Sequence, residues 1–422
     1  MTLLSQVLIG HVNVMSIQTS TILGDFHVDI CIKFQGSNMD TDDSSSTCST
    51  IDGYILDNLL NDVEFESIQD KIRSPKNKTE VKKSNFWSDV YPSLSDIFYK
   101  QRYRISRNSM DYLIENYFDL SSIKSFENWR IGVVATMDYL ASKCRIMDLV
   151  LRYGLAQGLM FKLTECVINV FGSKLLSDYC NWPNEQERRV NASLFKQKFK
   201  LPLCIGAIDG TLININGMGL GKADLTSRKS SYALNLLLVC DYYGSIIYYV
   251  NGAAASLGDS VLYDASLLAI QKEERFYNAV NPLDNYYLIS DKGIPCDNYI
   301  VTPYQDDNHL SVQKHRFNYF VQRARAIIER LNGMLKQRSQ ILSGGMTARS
   351  LKKAEEIILA CLAVHNYSIK SNNLHMYAND DTQAVVTENL FANAYEYNES
   401  DLDDYSDTRD KLYNYINNLD FY

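Results

Sequence analysis

The sequence predicts an α/β protein: a mixed β-sheet flanked by helices, preceded by an all-α region with a helix-turn-helix-like pattern, between disordered acidic termini. Three observations predict it. Apolar residues recur at three and four positions from about Phe86 to Lys200, and from Leu201 to about Asn372 the pattern becomes strand-like runs followed by long helical periods. Charge is segregated: residues 1–70 sum to −10 and residues 376–422 to −9, so the span 71–375 is +11 in a chain of −8. Finally, the strand-like run "LCIGAIDGTLININ" (Leu203–Asn216) carries one aspartate, Asp209, in its middle. Burying an unpaired carboxylate costs several kcal/mol, so a cation is expected to meet it there.

At 422 residues the chain exceeds the size at which a single core stops growing. It divides by pattern into an acidic, low-order segment with a basic linker (1–85), a helical region (86–200), the strand-and-helix block (201–372) and an acidic, tyrosine-rich tail (373–422). A basic body with acidic ends suits a polyanion binder, and it equally suits a soluble protein with acidic tails. The nine cysteines are scattered, none in a C-x-x-C pair, and several lie inside apolar runs, as reduced core residues of an intracellular protein do. No apolar segment reaches the roughly 20 residues of a membrane span, which predicts a soluble chain of the nucleus or cytoplasm.

The first segment has a polar linker, "GSNMDTDDSSSTCST", and then "KIRSPKNKTEVKK" (Lys71–Lys83), with six basic residues against one acid. That stretch suits a nuclear-import signal, an arm on DNA phosphates or a solvated loop. "SRNSMDYLIENYF" begins with a Ser N-cap, and "RIMDLVLRYGLAQGLMFKLTECVINVFGSKLL" gives two helical stretches parted at Tyr153-Gly154, the outline of a helix-turn-helix. The second helix offers mostly apolar side chains where base-reading polar ones would sit. Beyond Leu201, "LCIGAIDGTLININ", "YALNLLLVCDYYG", "SIIYYVNGAA", "NYYLISDKGI" and "NYIVTPY" read as five strands, with a helix opening at Asp259 and long helices in "HRFNYFVQRARAIIERLNGMLKQRSQIL" and "RSLKKAEEIILACLAVHNYSI". A short terminal helix is expected in "DKLYNYINNLDFY".

Asp209 on the first strand, Asp291 at the end of the fourth and Glu329 on the following helix converge if those strands are neighbours. A few carboxylates with open positions are what Mg²⁺ or Mn²⁺ require, and two such ions can activate water or a 3′-hydroxyl at a phosphodiester. On a helical period Arg325 lies one turn before Glu329, Asn332 and Gly333 one turn after, and Lys336 two turns after, which sets phosphate-binding cations beside the acid. Singly, each acid also has an ordinary role: Asp209 in a D-G hairpin turn, Asp291 in a "DKG" turn, Glu329 in an intrahelical pair with Arg325.

Six blocks, "CIGAIDGTLINI", "SRKSSYALNLLLVCDYYGSI", the Gly258-Asp259 helix start, "YYLISDKGIP" with "YIVTPY", "FNYFVQRARAIIERLNGMLKQRSQIL" and "IILACLAVHN", occur in this order. In them the chain resembles the PIF/Harbinger-type transposases and the domesticated Harbinger-derived nucleases, from about Arg102 to Tyr367. The resemblance implies a ribonuclease H-like fold and a DDE endonuclease that cuts and joins DNA with two divalent ions. It implies that Asp209, Asp291 and Glu329 are the catalytic acids and metal ligands. Asp259 resembles a recurrent family acid, read here as an N-cap or supporting residue and as the rival of Asp291 for the second ligand. Arg228 and Lys229 match a basic pair that touches DNA, joining Arg325 and Lys336. The chain departs where the family has Asp-Ser-Gly-Tyr: "DKGI" sets Lys292 as a further cation beside Asp291, and Ser339 stands where a Phe often follows "LKQR". The resemblance also implies nuclear work with a Myb-like DNA-binding partner, leaves room for a homo-oligomer, and keeps two alternatives: a catalytically reduced DNA-binding regulator domesticated from the same ancestor, and a host nuclease acting on RNA.

Overall fold

Helices come first, and their boundaries have local causes. The computed structural model describes residues 86–118, 126–216, 232–281, 284–305, 310–377 and 408–419, all within a compact unit spanning Glu80–Tyr422. Helix α1 (Arg107–Tyr117) starts where the Ser106 hydroxyl accepts the Ser109 N–H at 3.2 Å. Helix α2 (Phe126–Ser142) follows. Helix α3 (Ile146–Tyr153) stops at Gly154, whose left-handed φ of 68° a side chain would resist, and α4 (Gln157–Val170) starts three residues later. The expected helix, glycine turn, helix is therefore formed. The apolar residues of α4 that looked unsuited to reading bases, Met160, Leu163, Val167 and Ile168, are buried, and Gln157, Lys162 and Asn169 are exposed. Helix α5 (Glu185–Phe199) begins with a capping box in which Asn184 and Glu187 each accept the other's backbone N–H, at 3.0 and 2.9 Å.

The sheet contains β1 (Cys204–Asn216), β2 (Ala233–Cys240), β3 (Ile246–Ala254), then, after α6 (Asp259–Asp264), β4 (Tyr287–Ile289) and β5 (Ile300–Val301). Helix α7 (Val312–Arg338), a two-residue β6 (Met346–Thr347), α8 (Leu351–Tyr377) and α9 (Thr408–Asn418) complete it. Strand order is β3-β2-β1-β4-β5, with β6 beside the far end of β1. β2 runs antiparallel to β1 and to β3, and β4 and β5 run parallel to β1. This is the mixed, helix-flanked, ribonuclease H-like arrangement.

Burial explains the strand compositions. β2 is buried along its whole length, because both of its faces are covered. Leu234, Leu236 and Leu238 join the larger core, with α7, α8 and the N-terminal helices, while Leu237 and Val239 join a second core with Leu262 and Tyr263 of α6. β1 is buried on both faces only as far as Ile208; beyond Asp209 and Gly210 burial alternates. Asp209 stands where double coverage of the strand ends.

Three expectations need correction. β1 is continuous through Asp209, which pairs with Leu238 on β2, so the D-G pair makes no hairpin turn. β4 ends at Ile289, and Asp291 lies in the turn beyond it rather than at the strand end. The Asp259 helix is capped by Gly258, and Asp259 is its first residue rather than its N-cap. The terminal helix is present as α9; the Lys71–Lys83 stretch, Arg228, Lys229 and most of the acidic ends lie outside the described residues. Among the described residues no helix is long and apolar enough to cross a membrane.

Candidate active site

Two neighbouring positions of β1 point to opposite faces of the sheet and organise the site. Asp209 faces α7, where Asn332 Nδ2 donates to its Oδ2 at 3.0 Å. Two residues on, Thr211 shares that face, and Lys336 Nζ donates to its hydroxyl at 2.7 Å and to the Leu212 carbonyl at 3.1 Å. These two rungs fix the register of α7 on β1. Gly210 faces α6, and a Cβ there would land on the Asp259 carboxylate. The missing side chain lets Asp259 lie against the strand on the face opposite the Asp209 side chain. Asn235 of β2 holds it, donating from Nδ2 to Asp259 Oδ1 at 2.9 Å and to the Leu257 carbonyl at 3.0 Å.

The turn after β4 and the middle of α7 build the open side. Asp291, Lys292, Pro303, Gln322, Arg325 and Glu329 line a cleft of about 450 Å³. Asp291 Oδ1 accepts the Gly293 N–H at 2.7 Å, which sets its direction within the turn. Arg325 pairs with Glu329 one turn along the helix, the ordinary intrahelical pairing anticipated for this spacing, with the Glu329 side chain half exposed.

The acids act on one another across these elements. Burial pushes the Asp209 carboxyl up to about 6; the Asp291 carboxylate adds to this, Arg325 opposes it, and Asp259 and Glu329 raise it further. All four carboxylates, carried by separate elements, thus share one electrostatic field. Lys336 is different from the open-side cations: it is half-buried on β1, and burial lowers its pKa. Lys292 and Arg325 line the cleft itself.

The donor chemistry of this cluster fits a hard divalent cation, which prefers carboxylate and amide oxygens. Two buried amide oxygens beside the acids, Asn332 Oδ1 and Asn235 Oδ1, have no hydrogen-bond partner, as oxygens awaiting a cation would. The side chains nevertheless stand apart: among the described residues, no three His, Cys, Asp or Glu are grouped closely enough to hold an ion. Asn332 was placed on the Glu329 face by helical spacing. Asn235 lies outside the residues that the motif reading names, and its signal in the sequence is that of a lone polar residue in the fully buried run of β2.

Residues 208–366, which include all four acids, match the family described as DDE superfamily endonuclease. The Xenopus laevis protein named "Putative nuclease HARBI1" is 24% identical over 216 residues, 49% of this chain and 59% of that protein. The Arabidopsis thaliana "Protein ALP1-like" is 24% identical over 288 residues, 63% of this chain and 69% of that protein. A second Arabidopsis thaliana protein, "Antagonist of Like Heterochromatin Protein 1", is 23% identical over 306 residues, 67% and 77% of the two chains. The chain thus spans about 59% of the length of the first of these relatives. No solved structure matches the chain.

Proposed function

With residues 208–366 making the chain a Harbinger-type member of the DDE superfamily endonucleases, we propose that it cuts DNA phosphodiesters in a metal-dependent reaction, and as a transposase joins the freed ends to new DNA. The reading rests on one arrangement above the others: Asp209, lifted to about 6 chiefly by burial, is raised further by Asp291, Asp259 and Glu329, carboxylates brought to it from distant parts of the chain, with Arg325 opposing them. Confining negative charge in this way is unfavourable unless a cation is meant to share it.

Asp209, Asp291 and Glu329 would hold two Mg²⁺ or Mn²⁺ ions, with Asp259 alongside. Bound there, the ions supply Lewis acidity toward the phosphate and a water of lowered pKa. The chain's own groups do the rest. Arg325 and Lys292, both on the cleft, neutralise phosphate charge. Asn332 and Asn235 keep Asp209 and Asp259 oriented, and the Lys336 rung holds α7 on β1 while the substrate is bound. Arg228 and Lys229 add further contacts to DNA phosphates, and DNA-end recognition in the nucleus is shared with a Myb-like partner.

Asp209→Ala should reduce Mg²⁺-dependent cleavage of duplex DNA to background while filter-binding retention of the same DNA stays within a few fold. Equal cleavage by the variant removes the proposal. A second reading, a DNA-binding regulator that no longer cuts, draws on the absence of a closed three-acid group among the described residues and on the name of the heterochromatin-antagonist relative. Its signature is steeply salt-dependent DNA retention with no Mn²⁺ binding.

A further inference from the structure

Asn332 lies one turn beyond Glu329 on α7, and only half of its amide is used. Nδ2 donates to Asp209 Oδ2 at 3.0 Å, while Oδ1 is buried with no hydrogen-bond partner. An unpaired buried acceptor is unfavourable, and flipping the amide cannot cure it, because that would set its oxygen against the Asp209 carboxylate. Asp209 thus dictates which way the amide faces, and the arrangement leaves an amide oxygen free beside the acid cluster. Hard divalent cations accept amide oxygens alongside carboxylates.

We infer that Asn332 is itself a ligand of the metal centre, its Oδ1 binding a divalent cation shared with Asp209 while its Nδ2 holds Asp209 in place. The inference rests on reading the chain as a metal-dependent nuclease and adds a neutral oxygen donor to the carboxylates. Asn235 is less suited to the role, because its Nδ2 is shared between the Asp259 carboxylate and the Leu257 carbonyl, which makes it a brace between β2 and the start of α6.

Two probes on the full-length protein test this without DNA and without turnover. The first is Mn²⁺ affinity, from the electron paramagnetic resonance signal of the free ion. The second is the number of waters on bound Eu³⁺, from luminescence lifetimes in H₂O and D₂O. Asn332→Leu should weaken Mn²⁺ roughly tenfold and raise the Eu³⁺ water count by one, with far-UV circular dichroism showing the fold intact. Asn332→Asp, which restores an oxygen donor, should return the water count to the wild-type value. An unchanged count in Asn332→Leu overturns the inference and leaves the amide as an orienting group, whatever happens to affinity. Wild-type protein that binds neither ion overturns both this inference and the nuclease reading. Wild-type binding that Asn332→Leu fully retains overturns the inference alone.

Discussion

Gly210 shows how a single position controls the site. With no Cβ, it lets the Asp259 carboxylate rest against β1 at the residue after Asp209, on the opposite face of the strand. Gly210→Ala must push Asp259 away and break its hydrogen bond from Asn235. Since Asp259 is only the first residue of the short α6 and is partly exposed, the fold should survive. Circular dichroism should be unchanged while Mg²⁺-dependent cleavage falls at least tenfold; a wild-type rate would show that Asp259 takes no part. The sequence made the acids legible because Asp209 stood alone in an apolar run and because Arg325, Glu329, Asn332 and Lys336 fall on one helical face. It could not show that Gly210 is the seat of Asp259, since that contact joins positions linked only through the sheet. Nor could it show that Lys336 spends its charge on Thr211 and Leu212 inside the fold.

At the scale of elements, α8 is tied to α7 and to the β2–β3 turn through one histidine. Arg338 on α7 can only donate, so His365 Nδ1 accepts at 2.8 Å, and the Gly244 carbonyl can only accept, so Nε2 donates at 3.1 Å. Both demands are met by a single neutral tautomer. Burial lowers the His365 pKa to about 3, and the neighbouring Arg338 charge acts the same way. The folded pKa lies below the unfolded value of about 6.5, so the unfolded chain takes up a proton first as pH falls. This junction therefore contributes its full stability above about pH 6.5 and loses it as pH drops toward 3. Asp209 and Asp241, both lifted to about 6 by burial, work in the opposite sense. Their effect cancels when wild type is compared with His365→Gln. Between pH 6.5 and 5 urea denaturation should show wild type losing about 1.6 kcal/mol relative to that variant, the slope steepening toward about 1.4 kcal/mol per pH unit as the unfolded imidazole fills. Parallel curves would place the His365 proton elsewhere. Long elements were legible and short ones were not. The 13-residue β1 and the 27-residue α7 repeat their pattern often enough to read. β6 has two residues, too few for any period, and is set by Gly344 and Gly345, at φ 65° and 88°, just before it. β4 read two residues too long: the Ser290 N–H still donates to the Val301 carbonyl at 3.0 Å, but at Asp291 the chain turns, its Oδ1 accepting the Gly293 N–H.

In the molecule as a whole, the change of pattern at residue 200 is a change of secondary structure that the packing crosses. One buried cluster includes Leu140 of α2, Leu163 of α4, Leu238 of β2, Leu331 of α7, Ile358 of α8 and Ile416 of α9. Polar ties follow the same route: Tyr367 of α8 donates to the Ser109 carbonyl of α1 at 2.7 Å, and Asn366 donates to the carbonyls of Tyr179 and Ile246 at 2.9 and 2.7 Å. α8 thus has the N-terminal helices on one side and the sheet on the other, and neither side can unfold without exposing its apolar residues. Residues 86–419 should therefore melt as a single cooperative unit in the full-length chain, with calorimetric and van't Hoff enthalpies of the main transition agreeing. A fragment that begins at Leu201 should fail to fold, since it uncovers the side of α8 where Leu359 and Ala360 meet Gly172 and strips Asn366 and Tyr367 of their bonds to Tyr179 and Ser109. Two separate transitions, or a well-dispersed NMR spectrum from that fragment, would mean the acid cluster is supported by the sheet and its own helices alone. If the single transition is observed, the α3–α4 turn and the cleft belong to one body, and the spacing between them is set by the core.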